Sequence, residues 1–191
     1  RRHLLVAPAS LLGNWVAEAT RFAPSLKIGV AHVSGDGVAA ANTKKAELVI
    51  TTYGTLARTD WLRKARWDTL VLDEAQAIKN PGAQQTKAVK SVPARARLAL
   101  TGTPVENRAG DLWSLFDFLQ PGLLGTAPEF RRLANAAPDS AAGWAPVRRL
   151  VAPYILRRMK TDRSVAPDLP EKTEISASCG LTAEQAVLYQ K

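Results

Sequence analysis

The stretch Leu-Val-Leu-Asp-Glu-Ala-Gln at residues 70–76 places two adjacent acids directly after an apolar run. The run is short and bounded by polar residues, as is typical of a buried strand. In a parallel α/β sheet, ligands bind at the carboxyl edge of the strands, so both acids would lie at a ligand site. Two neighbouring carboxylates repel each other and are costly to desolvate unless a cation or hydrogen bonds compensate them.

A magnesium ion would compensate this pair of acids. Mg²⁺ accepts one or two carboxylates and fills the rest of its coordination shell with water and phosphate oxygens. In this interpretation Asp73 holds the ion, commonly through water, while Glu74 orients and deprotonates the attacking water. A second interpretation stays open at this point, because Asp73 and Glu74 could instead cap the next helix and favour its dipole.

Five short apolar runs alternate with helical patterns in the first half of the chain. Strands that are apolar almost throughout indicate a parallel sheet covered on both faces, so the pattern predicts an α/β fold of three layers. The predicted strands cover residues 4–7, 27–33, 47–51, 68–72 and 97–101. The predicted helices cover residues 10–22 with Ser10 as N-cap, residues 53–65, and a segment opened by Asn80 and Pro81 that runs to about Val92.

Three other predicted strands of this sheet are also flanked by polar residues at their ends. The fifth ends in Thr-Gly-Thr-Pro at 101–104, the third ends in Thr-Thr-Tyr-Gly at 51–54, and the first is followed by Pro-Ala-Ser at 8–10. Each stretch alone is a common strand-to-loop turn. Donors of this kind also suit phosphate oxygens, so several of them on one sheet edge imply a shared anionic ligand.

The strand pattern ends near Gly110 and helical patterns follow. Apolar spacing predicts a helix around residues 112–119 and another around 144–151, which together form a helical appendage. Prolines and charges predict an extended linker over 161–172, followed by a possible strand at 173–177 and a short helix at 182–190. The predicted domains are therefore an α/β lobe at 1–109, the appendage at 110–160, and a linker with the start of another lobe at 161–191.

Composition excludes several classes of protein. The chain has 191 residues, of which 46% are hydrophobic and 23% charged, an ordinary globular balance. Its single cysteine, Cys179, cannot form an internal disulfide, and no apolar run approaches the roughly 20 residues of a membrane span. We therefore expect a soluble, intracellular protein without a membrane partner.

The charge balance favours an anionic partner. Lys and Arg number 26 against 17 Asp and Glu, a formal net charge of +9. Basic excess favours polyanions because neutralised phosphates release their condensed counterions, although a solvated positive face would give the same count. Trp15 and the other four tryptophans mostly lie in apolar stripes, so we interpret them as packing residues rather than base-stacking platforms.

Four motifs, in their order along the chain, resemble those of the Swi/Snf-type DNA translocase ATPases of helicase superfamily two. They are LLVAPASL at 4–11 with Asn14 and Trp15, VITTYGTL at 49–56, DEAQAIKN at 73–80, and LTGTPVENR at 100–108. The later stretches DLWSLFDFL at 111–119, PYILRRMK at 153–160 and LPEK at 169–172 are similar to the helical protrusion and exit segment of that family. The resemblance covers essentially the whole chain.

The resemblance implies a RecA-like lobe of a P-loop NTPase that uses ATP and Mg²⁺. Asp73 and Glu74 match the magnesium-holding and water-activating acids, and Gln76 would sense phosphate or contact the third motif. That third motif, which couples hydrolysis to movement, matches Thr101, Gly102 and Thr103. The positions that line the track for one strand of double-stranded DNA match Pro8, Ser10, Asn14, Thr51, Thr52 and Tyr53. Contacts of this kind are sequence-independent and salt-sensitive.

Two parts of such an ATPase are missing from the sequence. No glycine is followed by lysine, so the phosphate-binding P-loop would precede residue 1. The second ATPase lobe, which supplies arginines to the transferring phosphoryl group, would follow residue 191. We expect the isolated chain to be inactive, because loss of an arginine finger alone costs on the order of 10³-fold or more in rate.

Two other functions stay open on the sequence alone. The intact protein could be another superfamily-two enzyme that acts on RNA or unwinds duplexes, or a non-catalytic lobe that binds DNA. The alanine- and arginine-rich composition favours a bacterial cytoplasm or nucleoid, with the nucleus as the place of a eukaryotic protein.

Overall fold

The computed structural model describes residues 1–32, 43–102, 109–136, 143–159 and isolated positions between 167 and 188. The chain divides into a first unit, Arg1–Ala137, and a second unit, Pro138–Lys191. Thr103, the end of the predicted second strand at Val33, and most of the elements predicted over 173–190 lie outside the described residues. The predicted domain boundaries after residues 109 and 160 stay predictions.

The centre of the first unit is a sheet of five parallel strands in the order β2-β3-β1-β4-β5. The strands are β1 (His3–Ala7), β2 (Ile28–Ala31), β3 (Leu48–Thr52), β4 (Trp67–Leu72) and β5 (Ala94–Ala99). The register aligns Leu5 of β1 with Ile50 of β3 and with Val71 of β4. All five carboxyl ends therefore meet at one edge, as the sequence predicted.

Helices cover both faces of this sheet, which confirms the three-layer prediction. The helices of the first unit are α1 (Leu12–Phe22), α2 (Tyr53–Arg58), α3 (Asp60–Lys64), α4 (Gln84–Lys90), α5 (Ala109–Leu119) and α6 (Ala127–Ala136). The second unit by itself contains α7 (Ala145–Val151). On one face, α1 packs through Leu12 and Trp15 against Leu5 and Ile50. On the other, buried residues of α2 to α5 meet the alternate strand positions, among them Leu4 and Leu70.

Two helix starts differ from the sequence prediction. Ser10 lies inside a single 3₁₀ turn, Ala9–Leu11, and α1 begins at Leu12 without a side-chain cap. The Pro8 carbonyl closes that turn by accepting the Leu11 N–H at 3.0 Å, so no serine cap is needed. Asn80 does not open α4 either, because its Oδ1 accepts the Gly82 N–H at 3.0 Å and forms a local turn.

The helix predicted over 53–65 and the region after α5 also differ. Thr59 is extended, with φ −116° and ψ 101°, and it separates α2 from α3. The sequence analysis missed α6 completely. Its sequence signal was Thr126 followed three residues later by Glu129, the pattern of a capping box. In the structure the Thr126 N–H and Oγ1–H both donate to Glu129 Oε2, at 2.8 and 2.6 Å.

The first appendage helix is fixed firmly to the sheet. Ser114 Oγ donates to the Ile78 carbonyl at 2.6 Å, and Lys90 Nζ forms an ion pair of 2.8 Å with Asp117. Arg97 of β5 donates to the Phe118 carbonyl at 2.8 Å, and burial lowers the pKa of Arg97 while Asp117 opposes that shift. These contacts join α5 to α4 and to β5.

One part of the sheet is left uncovered by the described residues. Leu98 and Leu100 lie on the α1 face at the β5 edge and are 53% and 42% exposed. Apolar side chains at the edge of a parallel sheet are normally covered by a helix or a further strand.

Among the residues that the structure describes, no helix is long and apolar enough to cross a bilayer.

Candidate active site

The two acids lie at the carboxyl edge of the sheet, directly after β4. The Asp73 N–H donates to the Val6 carbonyl at 2.8 Å, which continues the β1–β4 ladder by one residue. The Ala75 N–H then donates to the Leu100 carbonyl at 2.9 Å. Neighbouring strands on both sides thus fix the main chain of residues 73–75. Both acids are half-buried, and the sequence prediction of their place is confirmed.

Three donors fix Asp73. Trp15 Nε1–H donates to Oδ2 at 2.7 Å, and the Glu74 N–H donates to Oδ1 at 2.9 Å. Tyr53 O–H donates to the Asp73 main-chain carbonyl at 2.7 Å. An ionised carboxylate can accept about four hydrogen bonds, so lone pairs remain on both oxygens for water or a cation.

The Tyr53 hydroxyl stays a hydrogen-bond donor to the Asp73 carbonyl because it does not ionise at physiological pH. Burial raises the pKa of Tyr53 well above its usual range, and the negative charges of Asp73 and Glu74 raise it further. The phenol therefore stays protonated at physiological pH and keeps its bond to the Asp73 carbonyl.

A hydrogen-bonded chain runs from Glu74 to the end of β5. Gln76 Nε2–H donates to Glu74 Oε2 at 2.6 Å, and Thr101 Oγ1–H donates to Gln76 Oε1 at 2.8 Å. Both ends of the Gln76 amide are used, which fixes its orientation. The structure thus brings Glu74, Gln76 and Thr101 together. Gly102 is exposed beside Thr101, while Thr103 lies outside the described residues.

Glu74 has an unusual backbone. With φ 49° and ψ 54° it is the one non-glycine residue of the described chain in the left-handed region. This conformation costs on the order of 1–3 kcal/mol and clusters at functional sites. Glu74 occupies the N-cap position of the 3₁₀ turn Ala75–Ile78, yet its side chain makes no capping bond. Capping of this turn therefore does not account for Glu74.

The β3 end is built differently from the β4 end. Thr51 and Thr52 are buried, and so is Tyr53. Thr51 Oγ1–H donates to the Ala31 carbonyl at 2.7 Å, and Thr52 Oγ1 accepts the Thr55 N–H at 3.1 Å as the N-cap of α2. These side chains are occupied inside the fold. Their predicted contact with a DNA strand stays a prediction.

The β1 end is open to solvent. Pro8 is half-buried, while Ser10 and Asn14 are exposed around the start of α1. Trp15, the next residue, contacts the candidate site, which the sequence did not predict, because its partner Asp73 lies 58 positions further along the chain. A tryptophan in an apolar stripe gives no sign of where its N–H points.

The acids fit magnesium better than a structural metal site. The described residues contain no group of three or more His, Cys, Asp or Glu side chains that could hold a metal ion. Mg²⁺ needs no such cage, because it takes one or two carboxylates and completes its shell with water and phosphate oxygens. Asp73, with lone pairs left on both oxygens, is suited to that role.

Comparison with solved structures finds the same arrangement of chain. The Swi2/Snf2 ATPase core of Sulfolobus solfataricus in complex with double-stranded DNA is 38% identical to this chain, with a TM-score of 0.78. The match covers 99% of this chain and 40% of the archaeal chain. The RecA-like lobe that the resemblance implied is thereby confirmed.

Comparison with curated proteins gives relatives that are much longer. YwqA of Bacillus subtilis, a candidate ATP-dependent helicase/translocase, is 40% identical over 199 residues, which cover 99% of this chain and 21% of YwqA. The chromatin-remodeling ATPase INO80 of Candida glabrata is 35% identical over 209 residues, 98% of this chain and 14% of INO80. The chain spans about a fifth or less of these relatives. The family model of the SNF2-related domain matches residues 1–191, and the chain belongs to that family of Swi/Snf-type ATPases.

Proposed function

We propose that this chain forms most of the first ATPase lobe of a double-stranded-DNA translocase, whose intact form uses ATP to move or remodel protein–DNA complexes. The observation that carries the proposal is the Glu74–Gln76–Thr101 hydrogen-bonded chain beside Asp73 at the centre of the sheet edge. It joins a predicted catalytic acid to a predicted coupling residue just beyond the end of β5. A structural acid pair would not need that link.

In this proposal Asp73 holds the magnesium of MgATP in the intact protein. The ion supplies charge neutralisation for the phosphate oxygens when it is bound. Glu74 accepts a proton from the attacking water, a general-base role that contributes typically 10²–10⁴-fold in rate. Gln76 holds the Glu74 carboxylate through its Nε2–H, and its link to Thr101 carries changes at the acid to the end of β5.

The DNA track is proposed for the ends of β1 and β3. Ser10 and Asn14 are exposed and would contact phosphates directly, with Pro8 shaping their loop. Thr51, Thr52 and Tyr53 are buried, so we place them under the track. There Thr52 caps α2, while the Thr51 and Tyr53 hydroxyls donate to the main-chain carbonyls of Ala31 and Asp73. The archaeal relative was solved with double-stranded DNA, which supports duplex DNA as the partner.

The nucleotide site is proposed to need further segments of the intact protein. The chain contains no Gly-Lys pair for a P-loop, and the uncovered Leu98 and Leu100 suit a further sheet element beside β5. A second ATPase lobe would supply the arginines that act on the transferring phosphoryl group. We therefore expect the 191-residue chain alone to show no DNA-stimulated ATP hydrolysis above buffer.

ATP hydrolysis by the full-length protein tests the proposal. Rates are measured without nucleic acid and with duplex DNA, single-stranded DNA or RNA at equal nucleotide concentration. The expected result is stimulation by duplex DNA. Stronger stimulation by RNA or single strands would favour another superfamily-two activity, and DNA binding without any hydrolysis would favour a non-catalytic lobe. Robust hydrolysis by the 191-residue chain would contradict the need for the missing segments.

A further inference from the structure

Trp15 connects the start of α1 to the acid at the end of β4. Its indole Nε1–H donates to Asp73 Oδ2 at 2.7 Å, a length typical of a bond to a charged acceptor. The ring is half-buried and packs with the cluster of Leu5, Leu12 and Ile50 under α1. A ring held in this way presents its N–H in a fixed direction.

We infer that Trp15 is a positioning residue for the Asp73 carboxylate and that it joins α1 to the metal side of the site. The inference rests on the proposed function. Oδ1 is held by the Glu74 main chain and Oδ2 by the indole, so the two donors together set the carboxylate plane. Partners that orient a metal-binding carboxylate typically change metal affinity or activity 10–100-fold when they are removed.

Tyr53 does not duplicate this role. Its hydroxyl holds the main-chain carbonyl of Asp73, whereas Trp15 holds the side chain. Trp15 directly follows the exposed Asn14, and Ser10 lies one turn earlier. A shift of α1 on contact with DNA would therefore move the indole. Because hydrogen bonds weaken steeply with distance and angle, the orientation of Asp73 would follow α1.

The bond itself is tested in the 191-residue chain labelled with ¹⁵N-tryptophan. Trp15→Phe identifies the Trp15 indole signal by its loss while keeping an aromatic ring in the cluster. Asp73→Asn should then move the Trp15 signal more than the signals of Trp61 and Trp113, which lie on α3 and α5. A Trp15 signal that Asp73→Asn leaves in place would overturn the inference.

The positioning role is tested in the full-length protein by Mn²⁺ affinity in the presence of ATP, measured by electron paramagnetic resonance. Trp15→Phe should weaken Mn²⁺ binding about ten-fold. The matched control is Trp113→Phe, because Trp113 lies on α5 and its Nε1–H donates to the Gly125 carbonyl between α5 and α6. This variant should bind Mn²⁺ like the wild type. The ratio of DNA-stimulated to basal hydrolysis should also fall in Trp15→Phe alone.

The two proposals fail in different ways. Equal Mn²⁺ affinity in the wild type and in Trp15→Phe refutes the positioning role and leaves the ATPase proposal intact. A wild-type protein that neither binds Mn²⁺ with ATP nor hydrolyses ATP refutes the proposed function, and with it the metal side of the inference.

Discussion

The ends of β3 and β4 look alike in sequence and differ in the structure. Each is an apolar strand followed by polar residues at the same sheet edge. Thr51 and Thr52, the last two residues of β3, are buried and hydrogen-bonded within the fold. After β4, Asp73 and Glu74 are half-buried, and the Glu74 backbone is strained. The polar side chains of the β3 end are therefore used inside the fold, whereas the two acids after β4 stay partly exposed to solvent.

The largest expected effect comes from the acid at the β4 end. Asp73→Asn in the full-length protein should lower DNA-stimulated ATP hydrolysis by at least about 100-fold, because a metal-holding charge worth several kcal/mol is lost. Asp68→Asn is the matched control, since Asp68 lies on β4 near the opposite edge of the sheet and binds the Arg2 N–H. Steady-state rates measure both. Equal losses of hydrolysis rate in Asp73→Asn and Asp68→Asn would contradict a special role for the carboxyl edge of the sheet.

A smaller effect is expected from the link between β4 and β5. Gln76→Leu removes both hydrogen bonds of the side-chain amide, and Thr101→Val removes the hydroxyl that donates to Gln76. Each variant should therefore lower the hydrolysis rate about ten-fold. The double variant should lose little more than Gln76→Leu alone, because residues of one network are not additive. Rates of the three variants in a double-mutant cycle check this. Full additivity would show that the two residues act separately.

Substitutions at the β3 end and at the β1 end should have different effects, the first on stability and the second on DNA affinity. Thr51→Val should lower the free energy of unfolding by about 1–3 kcal/mol, because the Ala31 carbonyl loses its donor inside the core. Ser10→Ala with Asn14→Ala should leave stability nearly unchanged and weaken binding to duplex DNA several-fold. Thermal unfolding and fluorescence anisotropy of labelled DNA measure the two effects. Weaker DNA binding in Thr51→Val, together with lower stability in the Ser10→Ala, Asn14→Ala variant, would contradict this assignment.

The smallest effect concerns Tyr53 and pH. At pH 8, Tyr53→Phe should lower the free energy of unfolding by about 1 kcal/mol through the lost bond to Asp73. The raised pKa of Tyr53 means that the wild type loses stability as pH rises above about 10, where the unfolded tyrosine ionises. The difference between the two proteins should therefore narrow from pH 8 to pH 11. Denaturant unfolding at both pH values tests this, and a constant difference would contradict it.

Much of the fold could be predicted from the sequence because the strands are short, apolar and separated by helical patterns. The parallel sheet and the place of Asp73 and Glu74 follow from that alternation. Helix starts were harder to predict, because single local hydrogen bonds decide them. Asn80 Oδ1 accepts the Gly82 N–H, and the Pro8 carbonyl accepts the Leu11 N–H in the turn that contains Ser10.

The site was predictable as a set of residues but not as a set of contacts. Asp73, Glu74 and Thr101 were predicted from their strand ends, and Gln76 from the family resemblance. The role of Trp15 was not, because a hydrogen bond across 58 residues depends on how α1 lies on the sheet. The burial of Thr51 and Thr52 could not be predicted either, because a threonine at the end of a strand can face solvent or the core and the sequence does not distinguish the two.

The central claim is that Glu74 activates water for ATP hydrolysis in the full-length protein. The most direct test is Glu74→Gln, which keeps the size of the side chain and removes the base. We expect ATP binding, measured with a fluorescent ATP analogue, within about three-fold of wild type, and a single-turnover hydrolysis rate lower by on the order of 10²–10⁴-fold. A Glu74→Gln protein that hydrolyses ATP at the wild-type rate would contradict the account.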